Sequence, residues 1–360
     1  MRTKIENIEL IKKLSNANGI SGFEDEVVEI CKAEIKSYCD YKEDSMRNLY
    51  FTAKGNTGGD HPKVWIDAHT DEVGFIVQHV KKNGAIGFLP VGGWSPESVP
   101  SSKVRIKDNN GNYISGVVVS KPPHFMSESE RGKGASIDKM VIDIGARSLN
   151  EVKNDFQISV AAPVVPDVVC EYDDAHDLFL GKAFDCRIGV AALIETLKQL
   201  QDEKLGVDIV GTFSAQEEVG LRGAKVATQS LHADVAIVFE GAPADDMLYG
   251  EEQIQSGIKR GPMLRHFDMT MINNPRFMKH TIDVAKEFGI PFQEAVRKGG
   301  GTNGGAIHLA QHGIPTIVIS IPVRHVHSHH GFVAYEDYVQ GIELAKAVVK
   351  SLNSEIIESL

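Results

Sequence analysis

The chain has 360 residues, which suits either a bulky catalytic domain with a smaller insert or two domains, so core size sets no limit. Hydrophobic residues make up 42% and charged residues 24%, and 34 glycines follow no repeating period, which excludes collagen-like and low-complexity architectures. Lysine and arginine total 38 against 49 acidic side chains, a net charge of −11, and this argues against sequence-independent nucleic-acid binding because phosphate backbones need a basic face.

The N-terminal segment reads as two helices joined by a turn. Ile8, Ile11 and Leu14 form one apolar stripe, and Val27, Cys31, Ile35 and Tyr38 form another at helical spacing. Between them, Ser21-Gly22-Phe23-Glu24 has the form of a capping box. From Lys63 the pattern switches to strand: Val64-Trp65-Ile66 leads into Asp67-Ala68-His69-Thr70-Asp71, and polar residues at the end of a buried strand suggest a site. From about 72 to 165 the texture changes to short strand-like runs, Phe75 to Val80, Lys103 to Ile106, Tyr113 to Val119 and Met140 to Ile144. Gly, Asn-Asn-Gly and Pro-Pro punctuate them, as in a small all-β domain.

After Leu178, strands and helices alternate. Strands are expected at Val207 to Phe213, Asp234 to Phe239, Phe292 to Val296 and Thr316 to Ile319. Helices are expected at Ile188 to Leu200, Arg276 to Phe288, Gly304 to Gln311 and Glu336 to Leu352. The fold class is therefore α/β: a mixed central sheet flanked by helices, formed by residues 1–71 and 166–360, with residues 72–165 inserted as a β-barrel-like domain. Ligands in such a sheet belong at the carboxyl ends of the strands.

Cys31, Cys39, Cys170 and Cys186 are scattered without a Cys-x-x-Cys pair, and no apolar signal segment follows Met1-Arg2-Thr3-Lys4. Both features favour a reducing cytoplasm. No apolar run approaches the roughly 18 residues of a spanning helix, so a membrane protein is not expected.

Polar clusters follow the expected strands at separated places: His69 and Asp71, Asp185, Glu217 and Glu218, Glu240, and His327. Imidazoles mixed with carboxylates are a ligand set for Zn²⁺, Co²⁺ or Mn²⁺. More ligands than one tetrahedral ion needs suit two ions sharing a carboxylate, about 3.5–4 Å apart, with a water between them. Each element also has a plainer reading. His-x-Asp can be a hydrogen-bonded pair, Glu217-Glu218 a solvated helix start, and Asp185 an N-cap for a helix beginning near Ile188.

The segments His69-Thr70-Asp71-Glu72-Val73-Gly74, Gly181-Lys182-Ala183-Phe184-Asp185, Gln216-Glu217-Glu218-Val219-Gly220-Leu221-Arg222-Gly223-Ala224 and Arg324-His325-Val326-His327-Ser328 carry a resemblance. Together with Gly19-Ile20-Ser21-Gly22-Phe23-Glu24 and Lys121-Pro122-Pro123-His124, they resemble the glutamyl aminopeptidase and tetrahedral aminopeptidase family of dinuclear metallopeptidases, which includes cellulase-labelled relatives. The resemblance covers nearly the whole chain in order. It implies that His69 and Glu240 hold one metal and Glu218 and His327 the other, with Asp185 bridging both. Asp71 would orient His69 through its other ring nitrogen, and Glu217 would serve as general base. It further implies release of N-terminal residues from short peptides, and a homo-oligomer, often of twelve subunits in a tetrahedral shell.

Two positions depart from the family pattern. Cys186 stands where Asp or Asn is usual, and is either a small buried side chain or a thiolate near the metals. Asn303, in Gly299-Gly300-Gly301-Thr302-Asn303-Gly304-Gly305, replaces an Asp and removes a negative charge expected near the substrate amine. These departures motivate a competing reading as a non-catalytic assembly or binding homologue. A glycosidase is a third reading, against which the histidine-containing ligand set speaks.

Overall fold

The computed structural model describes residues 2–56, 61–128 and 134–360. Among the described residues, eight strands form a mixed sheet in the order Cys39–Glu43, Leu49–Ala53, Asp208–Ser214, Lys63–His69, Val235–Pro243, Thr316–Val323, Met263–Phe267 and Gln293–Val296. Asp208–Ser214, Lys63–His69, Val235–Pro243 and Thr316–Val323 run parallel at its centre. Parallel central strands are buried on both faces and so read as apolar runs; Thr316–Val323 is buried at every position.

Alternation along these strands sorts the core into two layers. Val64, Ile66, Ala68, Ile237, Phe239, Ile317 and Ile319 pack on the face that also holds residues of the helices Lys4–Asn16, Phe184–Leu200 and Tyr335–Ser351. Trp65, Ala236, Val238 and Val318 face the short helices Arg222–Ala227 and Gly304–Ile307. Burial of each such Val, Ile or Phe contributes roughly 1.5–3 kcal/mol, so the sheet centre is the most strongly fixed part of the molecule.

A closed barrel interrupts this layer directly after Lys63–His69. Its strands, around the ring, are Gly74–Val80, Ile86–Val91, Val141–Asp143, Tyr113–Val119, Lys103–Lys107 and Pro163–Pro166. Phe75, Phe88, Val104, Ile106, Val118, Ile142 and Val164 fill it. Gly74 starts the barrel where no side chain fits, since a Cβ would lie 2.2 Å from Ile20 Cγ2 and 2.7 Å from the Val164 carbonyl. The α/β class with an inserted small β-barrel is the architecture expected from the sequence.

Several local expectations are corrected. Ser21 and Glu24 form no capping box: the helix Asp25–Ile35 lacks a side-chain cap bond, and both side chains turn toward residues distant in sequence. A capping box does form at Thr3 and Glu6. Asp185 is not an N-cap. The helix runs Phe184–Leu200 from a left-handed Ala183, and Asp185 and Cys186 depart from helical geometry around a cis peptide. The helix expected to reach Gln311 covers only Gly304–Ile307, since two glycines give its first turn little intrinsic support and Gln311 and Gly313 take positive φ beyond it. The strand hairpin Cys39–Glu43 and Leu49–Ala53 carries no clear period-two signal and goes unseen in the sequence.

Candidate metal centre

The parallel strands end at one edge of the sheet, and the polar residues expected there converge. Register does much of the work: Ser214 pairs with His69, and Val238 pairs with Asp67, which sets Glu240 level with His69. Asp185 arrives from the helix start, Glu217 and Glu218 from the turn after Asp208–Ser214, and His327 from the turn after Thr316–Val323. Left-handed backbone at Ala183, Gln216 and His327, with φ of 56°, 54° and 58°, sits beside the donor atoms, the kind of geometry that persists where surrounding structure over-determines it.

His69 Nε2 lies 3.0 Å from Asp185 Oδ1 and 3.4 Å from Glu240 Oε1. Its Nδ1 faces Asp71, 3.1 Å from the backbone carbonyl and 3.3 Å from Oδ1. His327 Nε2 lies 3.1 Å from Glu218 Oε2 and 3.4 Å from Asp185 Oδ2. Asp185 thus turns one oxygen to each imidazole. Donor atoms of His69, Asp185 and Glu218 fall within 4.8 Å of one another, as do those of His69, Glu240 and Cys186. Glu218 Oε1 is buried with no hydrogen-bond partner, an acceptor that a cation would satisfy. Carboxylates and imidazoles at these separations, with His69 buried and His327 partly open to solvent, fit divalent ions.

The electrostatics follow from crowding. Burial, reinforced by Glu240, Glu218 and Asp185 and opposed by His69, pushes the Glu217 carboxyl well above its ordinary range. Burial and Asp185 push Glu218 up to about 7. Burial opposes a charge on His327, but hydrogen bonds to Asp185 and Glu218 outweigh it and raise the imidazole to about 11. Glu217 is buried and not part of a solvated helix start; with Asp185, Glu218, Glu240 and His327 it lines a pocket of about 890 Å³.

Further residues shape this site, of which Gly93, Trp94, Arg265 and Arg297 had no sequence signal and Glu72, Lys182 and Arg324 lay within quoted motifs without an assigned role. Gly93 of the barrel lines the pocket, and a Cβ there would lie 3.1 Å from His327 Nδ1, so the insert forms part of the wall. Trp94 stacks on Phe75 and lies 5.2 Å from the His329 ring, fastening that wall to the turn carrying His327. Arg265, Arg297 and Arg324 line the far side, held by Asp268, Asp245 and Asp246. Beneath the site, buried Arg187 donates to the carbonyls of Thr70, Leu14, Ala17 and Gly19, while Lys182 grips Glu72.

The two departures land differently. Cys186 is fully buried, its thiol donates to the Phe239 carbonyl at 3.4 Å and burial pushes its pKa well up, as suits a small buried side chain, while its sulfur also lies among the donor atoms of His69 and Glu240. Asn303 is not among the residues that line the pocket, although Gly299 to Gly301 just before it are. It is 1% exposed and donates at 2.8 Å to Oδ2 of Asp67, on the strand that ends in His69. His325 is exposed on the pocket rim, His329 is buried against Trp94, and His330 and His124 are exposed.

A mixed sheet whose parallel central strands bring imidazoles and carboxylates together in one pocket suits a metal-dependent hydrolase. The chain belongs to the M42 glutamyl aminopeptidase family, whose model matches residues 48–344, and it is a peptidase. It is 32% identical to a putative aminopeptidase, FrvX, of Escherichia coli, over 98% of each chain. Among solved structures, a TET aminopeptidase from a marine sediment archaeon, Thaumarchaeota archaeon SCGC AB-539-E09, superposes with a TM-score of 0.94 at 36% identity, covering 98% of this chain and 99% of that one. A TET1 peptidase of Pyrococcus horikoshii, which can assemble into a tetrahedron or a large octahedral shell, superposes with a TM-score of 0.84 at 28% identity over 96% of this chain and all of that one. Family membership carries divalent-metal use with it. Among the described residues no helix is long and apolar enough to cross a membrane.

Proposed function

We propose that this chain is a dinuclear aminopeptidase that removes N-terminal residues from short peptides. The observation that carries this reading is Asp185, whose two carboxylate oxygens face His69 and His327 separately. His69 and Glu240 would hold one ion, Glu218 and His327 the other, and Asp185 both; Zn²⁺, Co²⁺ and Mn²⁺ all suit such donors. When bound, the ions acidify a water and polarise the scissile carbonyl.

The remaining work falls to the chain's own side chains. Asp71 faces His69 Nδ1, fixing the ring so that Nε2 points at the cluster. Glu217, held in the pocket without a partner role among the proposed ligands, accepts the proton from the attacking water and returns it to the leaving amine. The pocket wall supplied by the barrel narrows approach to the site, which favours a chain end over the middle of a folded substrate.

Membership of a peptidase family speaks against the non-catalytic alternative, and Asn303 and Cys186 are each accommodated by a hydrogen bond, to Asp67 and to the Phe239 carbonyl. A glycosidase needs two carboxylates flanking a sugar, and here the carboxylates are paired with imidazoles. We further propose a cytoplasmic homo-oligomer, with twelve subunits as the expected state; the acidic net charge of −11 disfavours a nucleic-acid partner. The experiment is metal analysis of purified protein coupled to a panel of aminoacyl anilides, with Zn²⁺, Co²⁺ and Mn²⁺ each added back. Two ions per subunit and metal-dependent release from free N-termini are expected; metal-independent release would overturn the reading. Sedimentation tests the assembly separately.

A further inference from the structure

The turn carrying Glu217 is gripped from outside by two carboxylates. The amide of Gln216 donates to Glu24 Oε1 at 3.1 Å, that of Glu217 to Asp71 Oδ1 at 2.9 Å, and that of Glu218 to Asp71 Oδ2 at 3.1 Å. Gln216 has a φ of 54°, and its left-handed backbone lets consecutive N–H groups converge on anions. Asp71 is further held by Ser21, whose hydroxyl donates to Oδ2 at 2.6 Å.

Glu24 is the unexplained member. It is fully buried, it caps no helix through its side chain, and it does not line the substrate pocket. Its Oε1 also accepts the Gly22 amide at 2.8 Å, whereas Oε2 is buried without a partner. Burial and the nearby Asp71 push its carboxyl up to about 7. A buried acid beside a second acid works against stability, so an apolar residue would suit a purely structural position better. What Glu24 contributes is an acceptor for the peptide immediately before Glu217.

We propose that Glu24 is a positioning residue: by accepting the Gln216 amide, it sets the backbone from which the Glu217 carboxylate is aimed into the pocket. The proposal rests on the reading of Glu217 as general base. Asp71 holds the amides of both Glu217 and Glu218, while Glu24 holds that of Gln216, next to Glu217 and one residue further from Glu218, so loss of the Glu24 contact is expected to act on turnover before metal retention. Displacing a catalytic group by about 1 Å can cost on the order of a hundredfold in rate.

The test uses the full-length, metal-loaded protein and two variants that are gentler than truncation. Glu24→Asp keeps the charge and withdraws the acceptor by one methylene; Glu24→Gln keeps an acceptor oxygen at the same reach and removes the charge. Glu24→Asp is expected to lower kcat about tenfold or more, with KM within about twofold and the metal content of the parent, while Glu24→Gln stays within about threefold of the parent. Parent-like kcat in Glu24→Asp overturns the proposal, and so does equal impairment of both variants. Loss of metal and thermal stability in step with kcat assigns Glu24 a structural role and also overturns it. Glu217→Gln in the same series separates the two readings. If it is inactive while Glu24→Asp is normal, only the positioning role falls; if it turns over normally, the base assignment falls and takes the positioning role with it.

Discussion

Asn303 donates its side-chain amide to Asp67 at 2.8 Å, and both residues are buried. Asp67 also accepts the hydroxyls of Thr212 and Ser214, and Thr212 in turn accepts the Trp65 indole N–H at 3.0 Å. A neutral donor at 303 is therefore matched to a carboxylate on the neighbouring strand.

Replacing Asn303 with Asp places two carboxyls in contact. The introduced acid has its folded pKa raised by burial and by Asp67, so its penalty is absent below the unfolded value of about 3.9 and grows as pH rises toward the folded value. Asn303→Asp is expected to cost about 2–4 kcal/mol at pH 8 and less at pH 5. Urea denaturation at the two pH values checks this; an equal loss at both would refute the pairing.

Glu217→Gln retains the shape of the side chain and removes its basicity. We expect bound metal at parental levels and a kcat lower by about 10²–10⁴-fold. Elemental analysis and steady-state kinetics on one preparation give both numbers, and near-normal kcat would remove Glu217 as the base.

Metal uptake should release protons. Without metal, burial resists charging of His69 and His327, but the neighbouring acidic groups, Cys186 and Glu240 foremost at His69, outweigh it and raise His69 well above its ordinary value and His327 up to about 11. Ligation needs the neutral ring, so affinity rises with pH and falls as acid is added. Calorimetry at pH 7 in buffers of different ionisation enthalpy should report about one to two protons released; a binding enthalpy independent of buffer would contradict the linkage.

Arg187→Met tests the clamp beneath the site. Arg187 is 1% exposed and satisfies the carbonyls of Leu14 in the last turn of the first helix, of Ala17 and Gly19 just beyond it, and of Thr70. Removing it strips the Thr70 and Leu14 carbonyls of this donor, leaves Ala17 and Gly19 with only Lys182 and the Glu72 amide respectively, and leaves Glu72 with Lys182 as its one cationic partner, a loss of about 3–5 kcal/mol in unfolding free energy. A change under about 1 kcal/mol by urea denaturation would mean that solvent replaces the guanidinium.

Strand-end chemistry was legible in the sequence because a buried parallel strand is an apolar run, and a charged residue closing it stands out. His69, Glu240 and the Glu217-Glu218 pair are of this kind. The barrel was legible from the change in texture after Glu72. Ser21 and Glu24 misled because the side chains that cap a helix locally are the same ones that can accept a distant amide, and sequence spacing does not choose between partners. The partner of Asn303 was not legible either: motif position carried no sign that its amide would donate to Asp67, 236 residues earlier in the chain. Arg265 and Arg297 reach the pocket from the edge of the sheet, and their spacing in sequence carries no hint of this.

The cluster draws on residues 69, 185, 217, 218, 240 and 327, spread across the chain by the barrel insertion and the parallel crossovers. Contacts of such long sequence separation close late in folding. On the proposed ligand assignment, a growing chain has neither Asp185 nor Glu240 to complete the half-site around His69, and lacks the second half-site until His327 has left the ribosome. A partly made chain would then be catalytically silent, with proteolytic competence as the last stage of maturation.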